Sequence, residues 1–141
     1  MIEESYVSRD TARMLKEAGF EANLKTIYVE EEKGEWAFWD SGSKRSDYNY
    51  FDDTISCPTQ ALAARWLREV HRIVVDVTFI PPSVNGDVWQ YFIGEMDDMV
   101  WEGDFESSDR KYSTYEEALE AGLQEAIKLI TNENENRNNR C

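Results

Sequence analysis

Residues 56–80 read SCPTQALAARWLREVHRIVVDVTFI, and a change of period inside this stretch decides the fold. In its first half Leu62, Ala63, Trp66, Leu67 and Val70 recur at helical spacing, which stacks them on one face. Pro58 suits the first turn of that helix, where its missing N–H would have no intrahelical partner. From Ile73 to Ile80 β-branched and aromatic residues take over, and Pro81-Pro82 ends any ladder pairing. A helix feeding a strand with no glycine between them is the seed of an α+β layer fold.

Working outward toward the start, Ser8 to Gly19 reads as a helix. Ser8 serves as N-cap, Val7 and Ala12 as a hydrophobic staple, and Gly19 as the residue just past the end. Its apolar stripe of Ala12, Leu15 and Ala18 is narrow, which predicts a peripheral position. Thr26–Glu31 and Glu35–Asp40 read as a hairpin around Lys33-Gly34. Ile27 and Val29 share one face, Trp36 and Phe38 another, with Tyr28 and Trp39 pointing the other way. The polar stretch 41–53 reads as a loop, in which Tyr48, Tyr50 and Phe51 are expected to pin the chain to the core.

Toward the end, Asn85-Gly86 is a hairpin signal joining Ile73–Ile80 to Val88–Met96. Met99–Phe105 reads as a further short strand. Thr114 and Glu117 form a capping box. The helix they open buries Leu119, Gly122, Leu123, Ala126, Ile127 and Ile130, and Gly122 predicts close backbone approach to a neighbour. Residues 131–141 read as a polar low-complexity tail with nothing to bury. The expected fold is α+β, in the order α-β-β-α-β-β-β-α. It is a mainly antiparallel sheet with helices packed on one face, forming a single domain over 1–130.

At 141 residues and 41% hydrophobic content the chain is long and apolar enough to bury a core. Its net charge of −14 argues against gripping a nucleic-acid backbone, which needs clustered Lys and Arg. No apolar run approaches the roughly 20 residues of a membrane helix, and the opening MIEESYV lacks a basic, then apolar, leader pattern. Two cysteines, Cys57 and Cys141, make no disulfide framework. These features predict a cytoplasmic protein.

The single histidine, His71, reads as a positive group complementing a helix C-terminus rather than as part of a triad. Cys57 reads as a small buried residue, although its place near a helix start could favour a thiolate. Arg65, Arg68 and Arg72 at i, i+3 and i+7 form the one basic stripe that the spacing predicts. Its plain reading is pairing with the chain's own carboxylates; its sharper reading is anion capture. Twelve acids lie between Asp87 and Glu125 against only Arg110 and Lys111, a net of −10. Their spacing fits no calcium loop, so no metal is expected. A solvated acidic face is the default, and a docking face for a basic partner is the alternative. No phosphate loop, dinucleotide fingerprint, zinc pattern or nucleophile elbow occurs, so neither cofactor nor catalysis is expected.

From Pro58 to Ile130 the order α-β-β-β-α is similar to that of double-stranded-RNA-binding domains. Those grip RNA through lysines at the start of the last helix, and here that start is Thr114-Tyr115-Glu116-Glu117, so RNA binding is not expected. A second resemblance covers most of the chain. Tyr50-Phe51, Cys57 to Gln60, Trp66 to His71 and Thr114 to Leu123 resemble a family of small uncharacterised proteins of phages, prophages and mobile elements of gut bacteria. That resemblance implies a genomic setting rather than an activity, and favours an interaction role.

Two functions are therefore set side by side. The first is a non-enzymatic protein-protein interaction role, as an acidic inhibitor or nucleic-acid mimic that binds a basic protein through Asp97, Asp98, Glu102 and Asp104. The second is a binder or sponge for a nucleotide-like anion, held by Arg65, Arg68, Arg72, Tyr48 and Tyr50. A homodimer through an aromatic sheet face is a further expectation, with Trp89 and Tyr91, or Trp36 and Trp39, as its seam.

Overall fold

A computed structural model describes residues 1–42, 44–81, 86–97, 106–107 and 110–138. The class is α+β with antiparallel sheets, as the periodicity predicts. The strands are divided between two three-stranded sheets rather than joined in one layer. The chain separates into two compact units, Met1–Ala61 and Leu62–Cys141.

In the first unit, α1 (Arg9–Glu17) begins at Ser8, whose Oγ accepts the Thr11 N–H, and ends at Gly19 with φ +91°. Gly19 N–H donates to Lys16 O and Phe20 N–H to Leu15 O, the paired closure of a Schellman end. The narrow stripe is deeper than expected: Thr11, Ala12 and Leu15 are fully buried. Three strands follow, β1 (Thr26–Glu32), β2 (Glu35–Asp40) and β3 (Thr54–Ser56), in the order β2-β1-β3. β3 falls between the expected loop, 41–53, and the expected helix, where no strand is expected. Its three residues are too few to show a period, and β1 recruits them through Cys57 N–H to Thr26 O and Glu30 N–H to Asp53 O.

Tyr28 stands opposite Phe38 in the β1–β2 register, so these two share a face and the expected grouping of Tyr28 with Trp39 does not hold. Their rings meet at 5.7 Å, and Tyr6 adds a third at 5.3 Å from Phe38. Trp39 lies with Ile27 on the other face.

In the second unit, α2 (Gln60–His71, entered from the first unit) starts two residues after Pro58. Its buried positions are Gln60, Ala63, Ala64 and Leu67, while Val70 is 59% exposed. The stripe is thus turned about one residue from the expected one, toward Gln60 and Ala64 and away from Val70. Arg72, at φ +55°, has left the helix in the left-handed conformation and hands the chain to β4 (Ile73–Phe79). β4 pairs antiparallel with β5 (Trp89–Glu95), from Ile73 opposite Glu95 to Phe79 opposite Trp89. Gly86 has the positive φ a hairpin turn requires; Asn85 lies outside the described residues. β6 (Glu106–Ser107) pairs with β5, and the expected strand 99–105 lies outside the described residues.

Last comes α3 (Tyr115–Asn138), packed on β4 and β5. Thr114 Oγ1 accepts the Glu117 N–H, as the capping box predicts, and the Glu117 carboxylate turns to Ser113 Oγ. Ala118, Leu119, Leu123, Ala126, Ile127 and Ile130 are buried. A Cβ on Gly122 would stand 2.6 Å from Val75 Cγ1 and 3.0 Å from Tyr91 Cβ, which is the close approach expected there. The backbone stays helical through Asn138, so much of the expected tail continues the last helix.

Candidate interaction surfaces

The basic stripe is mostly engaged by the protein's own acids. Arg65 Nε donates to Glu69 Oε1 at 2.9 Å, one helical turn on. Arg72 lies off the helix and its Nε donates to Asp97 Oδ1 at 2.6 Å, while its carbonyl accepts Met96 N–H at 2.8 Å. A residue expected on the acidic face therefore neutralises one expected on the basic stripe. Both members are more than half exposed, so the pair orients the two side chains more than it stabilises the fold. Arg68 is exposed on α2 and, among the described residues, has no ion-pair partner. Asp98, Glu102 and Asp104 lie outside the described residues.

Tyr48 and Tyr50 fall in the first unit and the three arginines in the second, so neither unit alone holds that set. The loop carrying the tyrosines is held by polar bonds, and of its three aromatics only Tyr48 is half-buried. Asn49 Nδ2 donates to Phe20 O, and its Oδ1 accepts Ser56 N–H. Lys16 Nζ donates to the carbonyls of Phe51 and Thr54, and Thr54 Oγ1 to that of Tyr48. With the backbone so held, Tyr50 is 83% exposed and stacks edge-on against exposed Phe51 at 5.4 Å. Pinning by Tyr50 and Phe51 does not hold, because the asparagine and lysine already satisfy the turn.

The aromatic seam on the second sheet is also not free. Tyr91 is 9% exposed and lies against Gly122 of α3. Trp89 stands between Phe79 and Tyr115, at 5.4 and 5.6 Å. In the first sheet Trp36 and Trp39 lie on opposite faces of β2, so they form no single seam either. His71 packs edge-on against Trp66 at 4.7 Å. Cys57 is fully buried, its Sγ 3.5 Å from Val7 O.

What the sequence did not announce is the exposed border of the first sheet. Trp39 is 59% exposed and Phe38 half so, and β2 has β1 on one side only. Its neighbour Tyr6 has its phenol pushed above the ordinary value, first by partial burial and then by the negative charge of Asp40. Only the strand order reveals this border, and strand order is not written in periodicity.

Among the described residues no group of three or more His, Cys, Asp or Glu is placed to hold a metal ion, and no helix is long and apolar enough to cross a membrane. Comparison with known proteins found no matching family model, no matching curated protein and no matching solved structure.

Proposed function

We propose that this protein is a non-enzymatic binding protein of a bacterial host cell's cytoplasm, whose acidic surface engages a basic protein as an inhibitor or nucleic-acid mimic. The observation that carries this reading is the net charge of −14; Arg65 and Arg72, for their part, are paired with Glu69 and Asp97. Each pair takes one acid with its cation, Asp97 among them, and the net charge of −14 that a partner meets is unchanged. The same pairs weaken the anion-sponge reading, which needs free guanidinium groups. The resemblance to small phage and mobile-element proteins supports an interaction role on associational grounds.

The test is capture of partners by the immobilised full chain, followed by salt titration of whatever protein is retained. A basic partner whose affinity falls steeply with salt, and is lost when Asp97, Asp98, Glu102 and Asp104 are together changed to Lys, supports the reading. A partner held equally well at about 1 M salt, where the screening length is near 3 Å, overturns it.

A further inference from the structure

Rows of unpaired N–H and C=O groups along a strand edge are a template for another strand, and proteins ordinarily blunt them with Lys, Pro or a bulge. The β2 edge lacks these devices. Its sequence EWAFWD has neither Lys nor Pro, and the one irregularity in its register lies on β1, between Glu30 and Glu32. Which groups face outward follows from the ladder. Thr26 and Glu30 bond to the β3 side, so Ile27 and Val29 bond toward β2, opposite Trp39 and Ala37. In an antiparallel pair that leaves the intervening residues, Trp36, Phe38 and Asp40, with N–H and C=O directed away from the sheet. Among the described residues no strand pairs with them.

The two ends of this edge are negative. Glu35 stands directly opposite Glu32, a like-charge pairing that costs stability until a cation joins it. Asp40, at the other end, accepts the Gly42 N–H at 2.8 Å and has Lys25 as its cation at 3.9 Å, both side chains half exposed. A second copy adding antiparallel about Phe38 would set Trp36 opposite Asp40 twice and bring no cation to Glu35 or Asp40, in a molecule already at −14. An extended segment with basic residues about five positions apart would instead meet opposite charge at both ends. Between them its apolar side chains would lie on Phe38 and Tyr6 on one face and on Trp39 on the other.

We infer that the β2 edge is a strand-addition site for an extended, basic-flanked peptide segment of a partner protein. The inference rests on the reading of a basic partner and adds where and how it docks. Main-chain bonds supply affinity and the flanking charges supply selectivity.

The experiment uses the full chain with a capped Lys-Thr-Val-Thr-Val-Lys peptide and its Glu-flanked counterpart, read by residue-resolved amide hydrogen exchange. The expected result is new protection at Trp36, Phe38 and Asp40, with no change at Ala37 and Trp39, whose amides already bond to β1. The Glu-flanked peptide, or the Glu35→Lys/Asp40→Lys double variant with the Lys-flanked one, should bind at least about tenfold more weakly. Phe38→Pro removes one outward donor without touching the β1 ladder and should abolish protection, with a thermal melt confirming that it folds. Equal binding of both peptides, or protection that grows with protein concentration alone, overturns the inference, the second in favour of self-pairing. A basic partner that is salt-sensitive yet indifferent to Glu35→Lys/Asp40→Lys also overturns it while leaving the proposed function standing. Absence of any basic partner removes the proposed function itself.

Discussion

β2 and β5 carry nearly the same side-chain chemistry, with Trp36, Phe38 and Trp39 on one and Trp89, Tyr91 and Phe92 on the other. Their fates differ. β5 runs between β4 and β6 with α3 across one face, and Tyr91 and Ile93 are buried. β2 ends its sheet and leaves Phe38 and Trp39 exposed. Aromatic alternation states that a strand will form; it does not state whether the strand is a border or a centre. That is decided by which strands pair on its two sides, and the close cover over one face of β5 depends on a glycine of α3 rather than on anything in the strand.

The contrast can be broken most sharply at Leu123. Leu123→Ala should lower unfolding stability by about 3 kcal/mol, through lost burial and an unfilled cavity under α3. Phe38→Thr at the border should cost under about 1 kcal/mol, as expected of a half-exposed site. Urea unfolding of the two variants checks this, and equal losses would show that β2 is covered after all. A smaller effect is expected at Gly122. Alanine there gains about 1 kcal/mol of helix propensity but must displace Val75 and Tyr91, so a net loss of about 1–2 kcal/mol should appear in the same measurement. A neutral Gly122→Ala would mean that α3 rides higher over the sheet.

At Arg72 the sign should reverse. Glycine relieves the left-handed backbone and forfeits only an exposed ion pair, so Arg72→Gly should raise stability by about 0.5 kcal/mol. A clear loss would show that the bond to Asp97 contributes more than its exposure suggests. The smallest effect is at Tyr6 beside the border. Its folded pKa is raised, so the stability it contributes is fully present below its ordinary value of 10.0 and is lost as pH rises through the higher folded value. Tyr6→Phe should therefore flatten the alkaline limb of stability against pH relative to the parent chain.

Much of the fold was legible from local signals. Ser8, Gly19, Gly34 and Thr114 each mark a cap or turn where the structure has one. The buried stripe of α3 follows its 3.6-residue period from Leu119 to Ile130. What was not legible depends on partners distant in the chain. β3 is a strand only because β1 is beside it, and Arg72 departs from the helix because the chain must turn into β4. The candidate sites suffered most, since side-chain spacing along α2 could not foresee that Asp97, twenty-five residues on, would take the last arginine of the stripe.

The Lys16 ammonium, bonded to the carbonyls of Phe51 and Thr54, fastens α1 to the corner that leads into β3. Peptide carbonyls do not titrate, so acid that protonates the chain's carboxylates leaves this fastening intact. During acid unfolding the corner from Phe51 to Thr54 should therefore hold its shape longer than any part of the surface secured by Asp or Glu.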